Sequence, residues 1–168
     1  DDKGRPTSVI KALTTLIKDI AGRKADYVIF ANEGTRVKDV RKDILNTYKS
    51  GRSETPEDLS VQITECIKLL TKMGFSVVDE YGYEADDIIA SYAKAYDKLG
   101  AEVIVISTDK DLYQIKNGTN IQIYNPIKSA YITEEDCISK FGVGFDKCLL
   151  VQALMGDATD SVPGIKGV

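Results

Sequence analysis

Short apolar runs alternate with helical patterns along this chain, and that alternation limits the possible folds more than any other feature. The runs at residues 26–31, 75–78 and 103–106 are nearly continuous in apolar side chains, which is typical of strands buried on both faces. A helical segment separates each run from the next. Strands that alternate with helices predict an α/β fold with a mostly parallel central sheet flanked by helices.

Spacing and end signals locate the helices. In residues 6–21, five apolar side chains fall on one face at helical spacing. A second helix is expected to have Thr55 as its cap and Pro56 at its first position, and to end at Gly74. We expect further helices at 37–48, 84–99, 133–141 and 146–155, and a hairpin formed by 121–124 and 130–132.

Composition excludes several classes of protein. The 168 residues include no histidine, which excludes a Ser-His-Asp triad, a Cys-His dyad and a typical zinc site. The three cysteines are odd in number and scattered, which argues against a disulfide framework and for a reducing compartment. No apolar run approaches the roughly 18 residues of a membrane span, and no secretion signal opens the sequence. We therefore expect a compact cytoplasmic protein with no membrane partner.

Charge is unevenly distributed along the chain. The formal net charge is −4, which by itself argues against a nucleic-acid partner. Residues 36–52, however, hold six bases and two acids, whereas residues 79–111 hold nine acids and three bases. The first segment could bind phosphate, and the second could bind a hard cation.

Three acidic motifs stand out: Gly-Tyr-Glu-Ala-Asp-Asp at 82–87, Ser-Thr-Asp-Lys-Asp at 107–111 and Met-Gly-Asp-Ala-Thr-Asp at 155–160. The first two follow predicted strands, so they should lie at one edge of the sheet, where ligands of such folds bind. Seven carboxylates would gather there: Glu84, Asp86, Asp87, Asp109, Asp111, Asp157 and Asp160. Divalent ions relieve such crowding, and two ions about 4 Å apart can catalyse phosphodiester cleavage.

Each of these patterns also has a purely structural interpretation. Acids in the first turn of a helix cap its amides, and for a single motif that explanation is favoured. Three motifs together favour metal binding, because few structural roles need so much uncompensated charge. The basic segment could be a solvated helix face or, beside a metal site, a phosphate clamp in which Lys49 and Arg52 are free to reach a substrate. The glycine-rich end at 162–168 could be an ordinary loop or a hairpin whose amides approach phosphate.

The three motifs, taken with their neighbours, resemble the signature motifs of the 5′-nuclease superfamily. Residues 82–90, 107–112 and 153–165 carry the likeness, in the family's order and spacing. That superfamily includes the N-terminal 5′→3′ exonuclease domain of bacterial DNA polymerase I and the flap endonucleases. The likeness extends from about Gly4 to Val168, nearly the whole chain.

The resemblance implies a three-layer PIN-like core at 1–144, with an arch or clamp at 36–55, and the start of a helix-three-turn-helix DNA-binding element at 145–168. The implied metal ligands are Glu84, Asp86, Asp87, Asp109, Asp111, Asp157 and Asp160. The implied catalytic residues are Lys49 and Arg52, at the scissile phosphate, and Asp109, between two metal sites. The implied DNA contacts are Arg41, Tyr48, Lys49, Arg52, Gly164, Lys166 and Gly167, with Tyr48 considered for base stacking.

The resemblance also implies a function. The protein would be a structure-specific 5′-nuclease, a 5′→3′ exonuclease and flap endonuclease, that hydrolyses DNA phosphodiesters with two Mg²⁺ or Mn²⁺ ions. A K⁺ ion in the helix-three-turn-helix element is a further expectation. Its partners would be branched or nicked duplex DNA with a 5′ flap and RNA primers, in primer removal and DNA repair at the nucleoid. A monomer is expected, and a fused polymerase domain is left open.

Two departures from the family pattern keep other functions open. The family opens with a strand that ends in a metal-binding aspartate, whereas residues 1–4 correspond to the loop that follows it, so we expect truncation at both ends. Ala31 stands where polymerase-linked members carry an aspartate, and neither Asn32 nor Glu33 has its register. The alternative is a catalytically impaired module that retains the fold and binds DNA structure. A PIN-type ribonuclease is a third hypothesis, which the glycine-rich end and the basic clamp disfavour.

Overall fold

The computed structural model describes residues 6–34, 37–53 and 55–167. The predictions that involve residues 1–4, Arg36 and Val168 therefore lie outside the described residues. The helices are α1 (Ser8–Arg23), α2 (Val37–Ile44), α3 (Glu57–Lys72), α4 (Ala85–Lys98), α5 (Glu134–Phe141) and α6 (Phe145–Met155). The strands are β1 (Ile29–Ala31), β2 (Ser76–Val78), β3 (Ile104–Ile106), β4 (Gln122–Asn125) and β5 (Ala130–Tyr131). None of the described helices combines the length and the apolar character needed to cross a bilayer.

The chain divides into two compact units, and the first comprises the described parts of 1–32 and 53–79. Its strands β1 and β2 pair in parallel, with Phe30 opposite Val77. Leu13 of α1 and Leu70 of α3 are buried in its core, against which the ring of Phe30 packs. Gln62 is a buried polar side chain of this unit, and its Oε1 accepts a hydrogen bond from the backbone amide of Val9 at 3.1 Å. This unit is thus an apolar helix–sheet layer with its polar group satisfied.

The second unit comprises 33–52 and the described part of 80–168. In its sheet β3 and β4 run parallel, and β4 and β5 form the predicted antiparallel hairpin. A larger core lies beneath the sheet, and its fully buried side chains include Ile115, Ile121, Ile123, Cys137 and Cys148. The predicted α/β class with parallel strand pairing is confirmed.

Two local predictions were incomplete. The second long helix begins at Glu57, so Pro56 rather than Thr55 occupies its N-cap, and no side-chain hydrogen bond closes that end. A 3-10 helix, Lys110–Lys116, was not predicted at all. Seven residues are too few to show a helical period, and the turn is instead started by Asp109, whose side chain accepts from the amide of Asp111 at 2.8 Å.

Candidate metal and phosphate site

The first acidic motif lies at the start of α4. Oδ2 of Asp87, in the first turn, accepts a hydrogen bond from the backbone amide of Glu84 at 3.0 Å. The capping role that the sequence left open is therefore present. The Glu84 side chain accepts the Asp87 backbone amide in return, which completes a capping box and leaves Asp86 outside the cap. The first motif therefore combines a structural and a chemical role.

The basic segment folds onto these carboxylates. Lys49 Nζ donates to Glu84 Oε1 at 2.5 Å, and the Tyr48 hydroxyl donates to the same oxygen at 2.7 Å. Arg41 pairs with Asp87 and lies 3.8 Å from Glu84. The sequence placed these bases and acids in separate segments, and the structure brings them together.

Two expectations for this segment are corrected. Lys49 was expected to be free in a loop, but it is 8% exposed, because its ammonium group is drawn to the half-buried Glu84 carboxylate. Tyr48 was considered for base stacking, but it is 7% exposed and its hydroxyl is bound to Glu84. Arg41 and Lys49 also lie over the Tyr48 ring, 5.6 and 5.1 Å from its centroid. Tyr48 thus supports the cluster from inside rather than offering a stacking surface.

The third acidic motif joins the same cluster. The Lys49 amide donates to the Asp160 carbonyl at 2.8 Å, and the Arg52 guanidinium pairs with the Asp160 carboxylate. Asp157 Oδ1 accepts the amide of Thr159 at 2.7 Å, which fixes the turn after α6. The basic segment therefore contacts the third acidic motif as well as the first.

The second acidic motif follows β3 directly. Lys110 Nζ bridges two carboxylates, at 3.3 Å from Asp111 Oδ1 and 3.0 Å from Asp157 Oδ2. The hydrogen bond from Lys110 holds the pKa of Asp157 below its usual range. Gln152 of α6 also donates its side-chain amide to Asp111 Oδ1. The sequence interpretation missed Gln152, although a polar residue within the apolar stretch 149–155 was a usable signal.

Glu84 and Asp86 differ sharply in their electrostatics. Burial pushes the pKa of Glu84 upward, but the hydrogen bonds from Lys49 and Tyr48 outweigh it and hold that pKa below its usual range. Burial raises the pKa of Asp86 to about 6, with repulsion from Asp109, Glu84 and Asp111 adding to the rise. Repulsion from Asp109 and Asp111 indicates that the first two motifs lie near each other. The strands before them, β2 and β3, belong to separate sheets in the described residues, however, and not to the one sheet that the sequence predicted.

The glycines after α6 are required by close backbone approach. A Cβ on Gly164 would lie 2.2 Å from the Met155 carbonyl oxygen, and one on Gly156 would lie 2.4 Å from the Val162 oxygen. Gly164, Lys166 and Gly167, which the sequence assigned to DNA contacts, are exposed. The backbone of Gly164 thus packs against the end of α6, whereas a Cβ on Gly167 would meet open space.

The donor chemistry of the cluster suits a hard divalent ion. Asp86 combines a raised pKa with three neighbouring acids, and a cation would relieve that repulsion. Within residues 6–34, 37–53 and 55–167, no group of three acids or cysteines is already arranged to hold an ion. The ion pairs explain this, since Lys49, Lys110 and Arg52 draw Glu84, Asp157 and Asp160 to themselves. The carboxylates are of the type that binds a hard divalent ion, and such an ion would compete with these bases for their oxygens.

Comparisons with known proteins identify the family to which the chain belongs. Residues 1–142 match the family model of the 5′-3′ exonuclease N-terminal resolvase-like domain. The DNA polymerase I of Deinococcus radiodurans is 36% identical over 168 residues, covering 100% of this chain and 17% of the polymerase. The 5′-3′ exonuclease of Aquifex aeolicus is 34% identical over 166 residues, covering 99% of this chain and 57% of the exonuclease. The chain therefore spans only part of these relatives.

Solved structures share the fold. The bacteriophage T5 5′-exonuclease with bound zinc ions has a TM-score of 0.76 and 23% identity, over 99% of this chain and 65% of that chain. A complex of the bacteriophage T5 flap endonuclease with DNA and metal ions has a TM-score of 0.69 and 23% identity, over 96% of this chain and 62% of that chain. At this identity the likeness shows the fold, which matches the predicted PIN-like class.

Proposed function

The chain belongs to the 5′-3′ exonuclease family through its N-terminal resolvase-like domain, and from this premise we propose that it is a structure-specific 5′-nuclease acting on DNA. The observation that carries the proposal is the contact of a basic segment with the first and third acidic motifs, while the second acidic motif lies near the first. Lys49 meets Glu84, Arg52 meets Asp160, and repulsion from Asp109 and Asp111 reaches Asp86. Phosphate-binding bases beside ion-binding acids are what metal-assisted phosphodiester cleavage requires.

Two ions would be held by the seven carboxylates Glu84, Asp86, Asp87, Asp109, Asp111, Asp157 and Asp160. When bound, Mg²⁺ or Mn²⁺ would activate a water and stabilise the leaving oxygen. Relatives of the fold were crystallised with divalent ions, which supports this choice of cofactor. Asp109 already orders this region, because its side chain fixes the Asp111 amide at the start of the 3-10 helix.

The basic residues would bind the DNA backbone. An ammonium or guanidinium group that now pairs with a carboxylate can pair equally with a phosphate oxygen. Lys49 and Arg52 would hold the scissile phosphate and Arg41 the adjoining strand, while the exposed amides of Gly164 and Gly167, with Lys166, would contact duplex phosphates. The division into a core at 1–144, a clamp at 36–55 and a DNA-binding element at 145–168, with a K⁺ ion in that element, belongs to this proposal.

The substrates proposed are branched or nicked duplexes with a 5′ flap and RNA primers, in primer removal and repair at the bacterial nucleoid. The complex of the phage flap endonuclease with DNA supports DNA as the substrate. The curated relatives named DNA polymerase I support a fused polymerase partner. Action as a monomer is part of the same proposal.

A second candidate function is a DNA-structure-binding module with impaired catalysis. Ala31 favours it, because this apolar residue closes β1 where polymerase-linked members carry an aspartate. Such a module would shift flap DNA in a gel and release no product. Metal-dependent turnover separates the two candidates.

The test is cleavage of a fluorescently labelled 5′-flap duplex by the full-length protein with Mg²⁺, Mn²⁺ or EDTA. The proposal expects product that needs the metal and is lost in Asp109→Ala. Glu65→Gln is the matched control, since Glu65 is an exposed acid paired with Lys68 outside the cluster, and it should cleave like the parent. A parent protein that binds the flap and yields no product with either ion would establish the binding module instead.

A further inference from the structure

Gln152 is a polar side chain on α6 that reaches the second acidic motif. Its Nε2 donates to Asp111 Oδ1, across 41 positions of the chain. The flanking residues on the helix are Val151, Ala153 and Leu154. The hydrogen bond to Asp111 is one role for a side-chain amide in this apolar stretch.

The carboxylate of Asp111 is held from one side only. Lys110 Nζ, at 3.3 Å, and the Gln152 amide both donate to Oδ1. Among the described residues, every hydrogen bond that the Asp111 carboxylate is shown to accept ends on this one oxygen. The other oxygen, Oδ2, is therefore the one left for a ligand.

The side-chain oxygen of Gln152 is the second observation that points to a role at the ion site. Gln152 Oε1 is shielded from solvent and has no hydrogen-bond partner among the described residues. Turning the amide over would not satisfy it, because Oε1 would then face the acceptor Oδ1 of Asp111 and the donor would be lost. Buried acceptors without a donor are rare, and each one points to a water, an ion or a strained contact.

We propose that Gln152 is a positioning residue for the divalent-ion site. Its amide holds Asp111 by Oδ1 and so leaves Oδ2 for the ion, and its buried Oε1 would accept a hydrogen bond from a water that enters with the ion. The inference rests on the proposed function, because it concerns the same ion site. Outer groups that orient metal ligands typically change metal affinity by about tenfold to a hundredfold when they are removed.

Binding of Mn²⁺ alone, followed by the electron paramagnetic resonance signal of the free ion, tests this in the full-length protein. Gln152→Met keeps the length of the side chain and removes both hydrogen-bonding groups. We expect it to weaken Mn²⁺ binding about tenfold or more. Gln114→Met is the matched control, because Gln114 donates to the backbone carbonyl of Asp111 at 2.8 Å and does not touch its carboxylate. The control should bind Mn²⁺ within about twofold of the parent.

Cleavage kinetics give a readout that a purely structural role would not move. In Gln152→Met, the Mg²⁺ concentration for half-maximal cleavage of flap DNA should rise about tenfold, while the rate at saturating Mg²⁺ should recover to near that of the parent. If Gln152 had only a structural role, Gln152→Met would lower the melting temperature of the metal-free protein and leave Mn²⁺ binding unchanged. That result would overturn the inference.

A measurement on the unmodified protein covers the case in which Gln152→Met does not fold. Bound Mn²⁺ should broaden the side-chain amide signal of Gln152 in a proton–nitrogen spectrum. An unbroadened Gln152 signal in a protein that binds Mn²⁺ overturns the inference and leaves the nuclease proposal standing. A parent that binds no Mn²⁺ overturns both.

Discussion

Two edges of the acidic cluster differ in how the charge of their carboxylates is compensated. At the clamp-facing edge, Glu84 and Asp160 are neutralised by Lys49 and Arg52. At the inner edge, Asp86 faces further acids, and burial with their repulsion raises its pKa to about 6. The difference shows that this protein supplies bases where a phosphate could replace an acid, and leaves charge unrelieved where a divalent ion would gain most.

The largest expected effect is at the clamp-facing edge. Lys49→Met leaves the Glu84 carboxylate, whose side chain is 12% exposed, without its ammonium partner. The free energy of unfolding should fall by about 3 kcal/mol at pH 7 without metal, because this largely buried carboxylate keeps only the Tyr48 hydroxyl and the more distant guanidinium of Arg41. Urea denaturation measures this.

The control for that change is Lys68→Met, which removes the exposed pair with Glu65 and should cost under about 0.5 kcal/mol. The paired Glu84 has a pKa below its usual range, so its stabilising effect is present above the usual glutamate pKa and is lost as the pH falls through the lowered value. The deficit of Lys49→Met should therefore shrink in acid. An equal deficit for both variants would contradict the contrast between the edges.

The inner edge should respond in the opposite direction. Asp86→Asn removes a charge that the folded state disfavours, so metal-free protein should gain about 1 kcal/mol of stability at pH 8, a value reduced for partial exposure. The raised pKa means that the parent loses stability as the pH rises from about 4 to about 6, and the variant does not. Denaturation at pH 4 and pH 8 checks this. Asp86→Asn that destabilises at pH 8 would show that Asp86 is already compensated.

The smallest effect is expected at Arg52. Its side chain is 46% exposed, so the pair with Asp160 is screened by solvent. Arg52→Met should change the free energy of unfolding by under about 0.5 kcal/mol and weaken binding of flap DNA with a smaller salt dependence. Gel shifts at two salt concentrations measure the second part. A loss of stability as large as that of Lys49→Met would contradict the expectation that solvent screens the pair of Arg52 with Asp160.

The sequence predicted the α/β class and the hairpin, because both depend on local periodicity and turn signals. It placed the first two acidic motifs at the edge of one sheet, whereas the described strands before them, β2 and β3, lie in separate sheets. It did not predict that Lys49 and Tyr48 are buried. Their burial depends on the half-buried Glu84 carboxylate, 35 positions from Lys49, and no local pattern encodes a partner at that distance. For the same reason the sequence did not predict a role for Gln152, because its partner Asp111 is 41 positions away.

The central claim is that the inner edge is where a divalent ion binds, and carbon NMR titration of the Asp86 carboxyl group tests it most directly. Without metal, the account predicts a pKa of about 6, and with saturating Mg²⁺ a pKa well below that value, because the ion favours the charged form. A pKa in the ordinary aspartate range that Mg²⁺ leaves unchanged would contradict the account.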